Sequence, residues 1–259
     1  MPIITDPHVP GTPSWLDISS SDLDRTIAFY QGLFGWTSER GSAEFGGYTT
    51  FSKDGQPVAG AAGKRAEDPS PVDYWGLYLA TVDIDADTAR AVDKGATALY
   101  PPMQVAEFGK MAGLVDPSGA VVSLWQPGSH TGFGVHDEPG APSWFELASR
   151  DVDAAKTFYA DWWGWTYEEA TEVDMAYTTA SVNGQMAAGL MDATPFLPEG
   201  VPSHWSFYVC VADMRAILTK VTELGGQVIQ GPDESPFGLL AAVTDNAGAT
   251  FKLQELPKG

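Results

Sequence analysis

Two short stretches of this sequence place a tryptophan two residues before a carboxylate. Trp15 precedes Asp17 in "PSWLDIS", and Trp144 precedes Glu146 in "PSWFELA". Side chains two residues apart on a β-strand share a face. There an indole could stack on a flat ligand, while the carboxylate accepts a hydrogen bond from it or removes a proton if burial raises its pKa. A structural alternative stays open, in which the indole fills the core and the acid binds loop N–H groups.

Two later strand-like stretches carry a second set of polar candidates. In "YWGLYLATV" the side chains of Tyr74 and Tyr78 share a strand face, and in "HWSFYVCVA" those of His204, Ser206 and Tyr208 share the matching face. Because a tyrosine and a histidine hold corresponding places in otherwise similar stretches, we expect one of two related sites to be used. His204 is a candidate acid or base, and a hydrogen-bonded structural histidine is the alternative.

The last predicted strand of each half places Ser123 and Lys252 in corresponding positions. Lys252 could neutralise an acidic ligand or pair with Glu146 or another carboxylate. The candidate ligand-binding residues are therefore Trp15, Asp17, Tyr78, Ser123, Trp144, Glu146, His204, Ser206, Tyr208 and Lys252, and the candidate catalytic residues are Asp17, Glu146 and His204. Nucleophile-elbow, phosphate-loop and dinucleotide-binding motifs are missing from the sequence.

The sequence segments that must position these residues occur twice in the chain. Residues 11–36 recur without a gap as residues 140–165, and the "DPSG" at Asp116 returns as "DNAG" at Asp245, the same offset of 245 − 116 = 129. We predict a first repeat over 1–126, an exposed linker rich in glycine, proline and histidine over 127–139, and a second repeat over 140–259.

Each repeat follows a fixed change of hydrophobic period. A strand through Trp15 is followed by a helix from Asp22 that ends at Gly35, and then by three strand-like stretches near 36–40, 48–52 and 57–63. A second strand, helix and three strands follow from Tyr74. The sequence therefore predicts an α+β fold made of four β-α-β-β-β modules.

Composition restricts the partners that the chain can have. It has 259 residues, of which 44% are hydrophobic, and a formal net charge of -20. A surface so acidic repels phosphate, so nucleic acid and anionic membranes are not expected partners. The sequence contains neither a membrane-length apolar run nor a signal-peptide pattern, which favours a cytoplasmic location.

The pattern "D-x-D-x-x-x-x-FY", followed by "GW" and a closing "DPSG", resembles the glyoxalase, bleomycin-resistance and extradiol-dioxygenase superfamily, also called vicinal oxygen chelate. The doubled form with "PSW" strands is similar to two-repeat glyoxalase-like proteins of actinobacteria, some of them labelled hydroxylases. The resemblance implies two cupped sheets in a fused pseudo-dimer whose copies face one another to build two cups. It also implies a place in antibiotic biosynthesis or resistance.

Metalloenzymes of that superfamily hold a divalent ion through His and Glu side chains at four strand positions. The resemblance places Trp15, Gly60, Gly76 and Ser123 there in the first repeat, and Trp144, Gly189, Ser206 and Lys252 in the second. None of these is an ordinary ligand, since an indole N–H only donates and an ammonium repels a cation. We therefore expect no metal and no cofactor.

These features favour a protein, monomer or homodimer, that binds a small and mostly apolar aromatic molecule without a metal. The ligand would be a natural product or a xenobiotic. The alternative is a metal-free enzyme of specialised metabolism, of hydroxylase, isomerase or cyclase type, in which Asp17, Glu146 or His204 acts as acid or base.

Overall fold

The computed structural model describes residues 3–4, 6–42, 46–66, 68, 70–171 and 176–257. The elements of the first repeat are β1 (Pro13–Ser20), α1 (Leu23–Phe34), β2 (Thr37–Arg40), β3 (Thr49–Lys53), β4 (Gln56–Gly63), β5 (Tyr74–Ala80), α2 (Ile84–Asp93), β6 (Thr97–Val105), β7 (Gly109–Val115) and β8 (Val121–Pro127). Those of the second are β9 (Pro142–Ser149), α3 (Val152–Trp163), β10 (Thr166–Glu169), β11 (Tyr177–Val182), β12 (Gln185–Asp192), β13 (His204–Cys210), α4 (Met214–Glu223), β14 (Gln227–Ser235), β15 (Gly238–Thr244) and β16 (Thr250–Glu255).

The strands form two eight-stranded sheets with the same order. The first is β2-β3-β4-β1-β5-β8-β7-β6, and the second is β10-β11-β12-β9-β13-β16-β15-β14. The predicted α+β tandem repeat is therefore confirmed. The expectation that the two copies face one another to build the cups needs correction, however, because all eight strands of a sheet come from one repeat. Each sheet is complete within its own copy, and the facing of the copies builds their interface instead.

The helices begin and end where their sequence signals predict. The Asp22 side chain accepts the Arg25 N–H at the start of α1, and Gly35 ends it with a φ of 73°. Asp151 and Gly164 do the same for α3, where the φ is 74°. A left-handed residue at this place favours glycine, which has no Cβ to clash. Within the described part of the chain, no helix is long and apolar enough to cross a membrane.

Each helix pair covers one face of its own sheet. Helix α1 contacts β4, and α2 contacts β6, β7 and β8. On β1 the side chains of Leu16 and Ile18 are buried at 1% and 0% exposure. Because side chains alternate along a strand, Trp15 and Asp17 point to the opposite, helix-free face.

The two repeats meet through reciprocal buried hydrogen bonds. The Tyr30 hydroxyl donates to Asp245 Oδ2 at 3.1 Å, and the Tyr159 hydroxyl donates to Asp116 Oδ2 at 3.0 Å. These aspartates belong to the repeated "DPSG" and "DNAG" turns, so each repeat holds the closing turn of the other. Burial raises the pKa of both carboxyl groups, which makes the tyrosine donors important for satisfying them.

The segment between β8 and β9, which its composition predicts to be an exposed linker, is exposed at both ends and buried over residues 132–135. Phe133 and Val135 in this segment are 3% and 2% exposed. The Phe133 ring lies 5.6 Å from the ring of Trp15 in β1 and 5.6 Å from that of Phe145 in β9. Two apolar side chains in a glycine-rich stretch therefore anchor it between the repeats, because burying them removes apolar surface from water.

Candidate functional site

The first candidate site is a group of polar and aromatic side chains on the helix-free face of the first sheet. We call it cluster 1, and its members are Trp15, Asp17, Tyr48, Tyr78, Tyr100 and Ser123. The Tyr78 hydroxyl donates to Asp17 Oδ2 at 3.0 Å, and the Trp15 indole N–H donates to the Tyr48 hydroxyl oxygen at 2.7 Å. The Tyr100 hydroxyl lies 3.2 Å from Ser123 Oγ. The structure thus brings together all four candidates predicted in this repeat.

Asp17 is the carboxylate of cluster 1, and its surroundings raise its pKa. Its strand neighbours are Gly60 on β4 and Gly76 on β5. A Cβ at Gly76 would lie 3.4 Å from Asp17 Oδ1, so the glycine leaves one side of the carboxylate uncovered. Burial raises the Asp17 pKa to about 6, although the hydrogen bond from Tyr78 acts to lower it. This carboxyl group can therefore change its protonation near neutral pH.

The corresponding group in the second sheet, cluster 2, consists of Trp144, Glu146, Tyr177, Tyr208 and Lys252. The Trp144 indole N–H donates to the Tyr177 hydroxyl oxygen at 2.7 Å. Glu146 is only 4% exposed and pairs with the Lys252 ammonium, which lies 5.1 Å from the centre of the Tyr208 ring. Burial first, and then the Glu146 charge, raise the pKa of both tyrosines. The negative charge of Glu146 is thus already compensated by Lys252, a residue of the same cluster.

In both clusters a tyrosine occupies the space above a glycine. A Cβ at Gly60 would lie 1.9 Å from the Tyr48 hydroxyl oxygen, and one at Gly189 would lie 1.8 Å from that of Tyr177. Sequence reasoning missed both tyrosines. Their signal is the repeated "YTT" at Tyr48 and Tyr177, one offset of 129 residues apart. Since each hydroxyl oxygen accepts an indole N–H, its own proton is free for the carboxylate or for a ligand.

Two candidates predicted on β13 lie differently from cluster 2. His204 pairs in the sheet with Ala148, and its Nδ1 lies 3.1 Å from the Pro202 carbonyl oxygen. It therefore makes a local backbone contact outside the cluster. Ser206 is the strand neighbour of Glu146, but its hydroxyl donates to the Glu146 backbone oxygen at 3.4 Å. Neither side chain makes a hydrogen bond to the carboxylate among the described contacts.

The two tryptophans differ in exposure. Trp15 is 2% exposed, with the His130 ring 4.3 Å away edge-on and Phe133 on another side. An indole enclosed in this way has no open face, so the expectation that Trp15 stacks on a ligand needs correction. Its indole instead holds Tyr48 in place. Trp144 remains partly exposed.

The residues at the four metal-ligand positions do not fit a divalent cation. Trp15 and Trp144 use their only polar atom as a donor to tyrosine. The Tyr48 and Tyr177 hydroxyl oxygens cover Gly60 and Gly189, and Lys252 places an ammonium at the last position of the second repeat. Over the described ranges, no group of three or more His, Cys, Asp or Glu side chains is arranged to hold a metal ion. Phenols of raised pKa are poor substitutes, because a metal favours the deprotonated form.

Curated relatives align with nearly the whole chain. The anthracycline biosynthesis protein DnrV of Streptomyces peucetius is 34% identical over 96% of this chain and 95% of its own length. The corresponding DauV of Streptomyces sp. strain C5 is also 34% identical, over 95% of this chain and 94% of its own. The putative glyoxylase CFP32 of Mycobacterium tuberculosis is 32% identical over 94% of both chains.

Solved structures share the fold at low sequence identity. The Mn(II)-bound glyoxalase from Novosphingobium aromaticivorans aligns with a TM-score of 0.65 and 18% identity, covering 96% of this chain and 83% of that one. The 2,3-dioxygenase LapB from Pseudomonas sp. KL28 aligns with a TM-score of 0.65 and 14% identity, covering 98% and 96%. The model of the Glyoxalase/Bleomycin resistance protein/Dioxygenase superfamily matches residues 12–124 and again 141–253. This chain therefore belongs to that superfamily and carries two of its units.

Proposed function

We propose that this protein binds a small, mostly apolar aromatic molecule on the helix-free face of its sheets, without a metal ion. The observation that carries the proposal is the tryptophan, tyrosine and carboxylate network that stands in both sheets where metalloenzymes of the superfamily hold their ion. Such a network offers ring surfaces together with a few fixed polar atoms, which is the usual chemistry of a small-molecule site.

Cluster 1 is the better supported of the two binding surfaces. Tyr48, Tyr100 and Asp17 are all partly exposed, so ring faces and an acceptor are available to the same ligand. A hydroxyl or amine on an aromatic ring would donate to the Asp17 carboxylate. In cluster 2 the Glu146 Oε1 atom is instead paired with the Lys252 ammonium.

The names of the relatives support an aromatic ligand. DnrV and DauV are named for anthracycline biosynthesis, and an anthracycline is a polycyclic aromatic compound that carries hydroxyl groups. A role in the biosynthesis of an aromatic natural product is therefore the setting we favour for this chain.

The test is a titration of chelator-treated protein with hydroxylated anthraquinones, followed by tryptophan fluorescence and calorimetry. We expect saturable binding that survives metal removal, and Tyr48→Phe and Asp17→Asn should each weaken it. Loss of binding on chelation, with recovery on adding Mn²⁺ or Zn²⁺, would overturn the metal-free proposal. Each ligand is recovered and its mass measured, so that binding alone is distinguished from conversion.

A second candidate function is metal-free acid–base catalysis, and the Asp17 environment favours it. A carboxyl group with a pKa near 6 and partial exposure can accept a proton from an activated phenol or ketone at neutral pH. Isomerisation or cyclisation then needs only the return of that proton to another atom of the same molecule. Glu146 is less suited to this role because its carboxylate already forms an ion pair with the Lys252 ammonium.

Product analysis with matched variants tests this candidate. Asp17→Asn should abolish any conversion of a bound ligand, while Glu146→Gln and His204→Ala should leave its rate within about threefold of wild type. An unchanged rate in Asp17→Asn would eliminate Asp17 as the base.

A further inference from the structure

The geometry points to cluster 1 as a binding site for a primary ammonium group on the aromatic ligand, seated where cluster 2 holds the ammonium of its own Lys252. The inference rests on the proposed function, since it names the polar group of a ligand bound at that site. It comes from comparing two positions that the sheet makes equivalent.

The equivalence is fixed by strand register. Ser123 on β8 is the strand neighbour of Tyr78 on β5, and Lys252 on β16 is the neighbour of Tyr208 on β13. Lys252 sends its ammonium to the Glu146 carboxylate, 5.1 Å above the Tyr208 ring centre. This is a cation held by one carboxylate and one aromatic face, the combination that recognises ammonium groups in proteins.

Cluster 1 keeps the carboxylate and the tyrosine of this arrangement, but no described lysine or arginine takes the place of Lys252 beside the carboxylate. Asp17 and Tyr78 hold the places of Glu146 and Tyr208, while Ser123 is too short to reach the carboxylate with a charge. Among the described residues, no lysine or arginine forms an ion pair with Asp17, and its hydrogen-bond partner is the Tyr78 hydroxyl. The position that would receive an ammonium therefore carries an uncompensated negative charge.

Access and surroundings favour a cation from outside. Asp17 is partly exposed beside Gly76, whereas Glu146 is buried beside Ser206. The Tyr100 hydroxyl adds an oxygen near Ser123, and the exposed Arg65 guanidinium lies 5.9 Å from the centre of the Tyr100 ring. The net charge of -20 also raises the local concentration of cations near the protein. An aromatic amine would thus meet ring surfaces, hydroxyl oxygens and one carboxylate.

The test compares naphthylmethylammonium with its neutral counterpart naphthylmethanol by calorimetry at about pH 8, where Asp17 is ionised and the amine keeps its charge. We expect the ammonium to bind wild type roughly tenfold more tightly than the alcohol. Asp17→Asn should remove this preference. Ser123→Lys should remove it too, by supplying the site with its own ammonium as Lys252 does in cluster 2.

A matched control separates the site from general charge attraction. Asp24→Asn makes the same change in net charge at an exposed helix position and should keep the preference.

If the two probes bind wild type equally, aromatic binding stands and the ammonium inference is overturned. If the preference survives in Asp17→Asn, the ammonium sits elsewhere and the inference is again overturned. If neither probe nor any anthraquinone binds, the proposed function fails and the inference fails with it. Should Ser123→Lys not fold, Asp17→Asn alone decides.

Discussion

Clusters 1 and 2 share one frame and differ in charge. Both have an indole that donates to a tyrosine hydroxyl at 2.7 Å, with that tyrosine placed over a glycine. They also differ at Gly76 and Ser206, and their charge difference lies on the closing strand, where Ser123 provides no cation for Asp17 and Lys252 pairs with Glu146. The comparison teaches that the frame is a requirement of packing, while one side chain on the closing strand decides whether the site is open to a charged partner.

The strongest test of this difference is Lys252→Met, which keeps much of the side-chain volume and removes the charge. We expect it to lower the free energy of unfolding by about 2–4 kcal/mol, because Glu146 would be left buried and unpaired. Urea denaturation at neutral pH measures the loss. Adding Glu146→Gln should recover most of it, and a loss that persists in the double variant would assign the effect to packing rather than to charge.

Asp17→Asn should act in the opposite direction. Burial raises the Asp17 pKa from 3.8 to about 6, so the folded state binds this proton more tightly than the unfolded state. The ionised carboxylate therefore makes folding less favourable as pH rises through this interval, and replacing it should add about 1–3 kcal/mol to the free energy of unfolding near pH 8. The gain should shrink as pH falls from about 7 towards 4. A gain that is independent of pH would contradict the charge explanation.

The repeat interface should behave symmetrically where the clusters do not. Tyr30→Phe and Tyr159→Phe each remove the hydroxyl that donates to a buried aspartate of the other repeat. We expect similar losses of about 1–2 kcal/mol in the free energy of unfolding. Urea denaturation of both variants checks this, and a marked inequality would show that the interface has diverged as the clusters have.

The smallest expected effect concerns the two tryptophans. Trp15→Phe and Trp144→Phe remove the same hydrogen bond to a tyrosine, but Trp15 is enclosed by His130 and Phe133 while Trp144 is partly exposed. The cavity left at Trp15 should make its replacement costlier by about 1 kcal/mol. Thermal unfolding of the pair measures the difference, and equal losses would argue that enclosure adds nothing.

Local signals account for what the sequence predicts well. The helix bounded by Asp22 and Gly35 depends on a capping side chain and a left-handed glycine, both of which act within a few residues. The repeat offset of 129 likewise predicts that Trp15 and Trp144 stand in equivalent strands. The pairing of Lys252 with Glu146 was one of two interpretations that the sequence left open, and it is the one found in the structure.

Contacts between distant strands account for what the sequence does not predict. Tyr48 approaches Trp15 from a neighbouring part of the sheet, and alternation within one strand says nothing about which partner covers a given glycine. The burial of Phe133 depends on the gap between two repeats, which composition does not describe. The backbone contact of His204 Nδ1 with the Pro202 carbonyl oxygen is likewise a feature that a count along β13 does not predict.

The joining of both repeats in one chain has a genetic consequence. In a dimer of identical half-length chains, a lysine codon at the position of Ser123 would appear in both sites at once, and an asymmetric pair could not arise by single substitutions. Here Ser123 and Lys252 are encoded separately, so one site can change its charge while the other keeps its own. Substitutions in one repeat can therefore change its ligand specificity while the site of the other repeat stays unchanged.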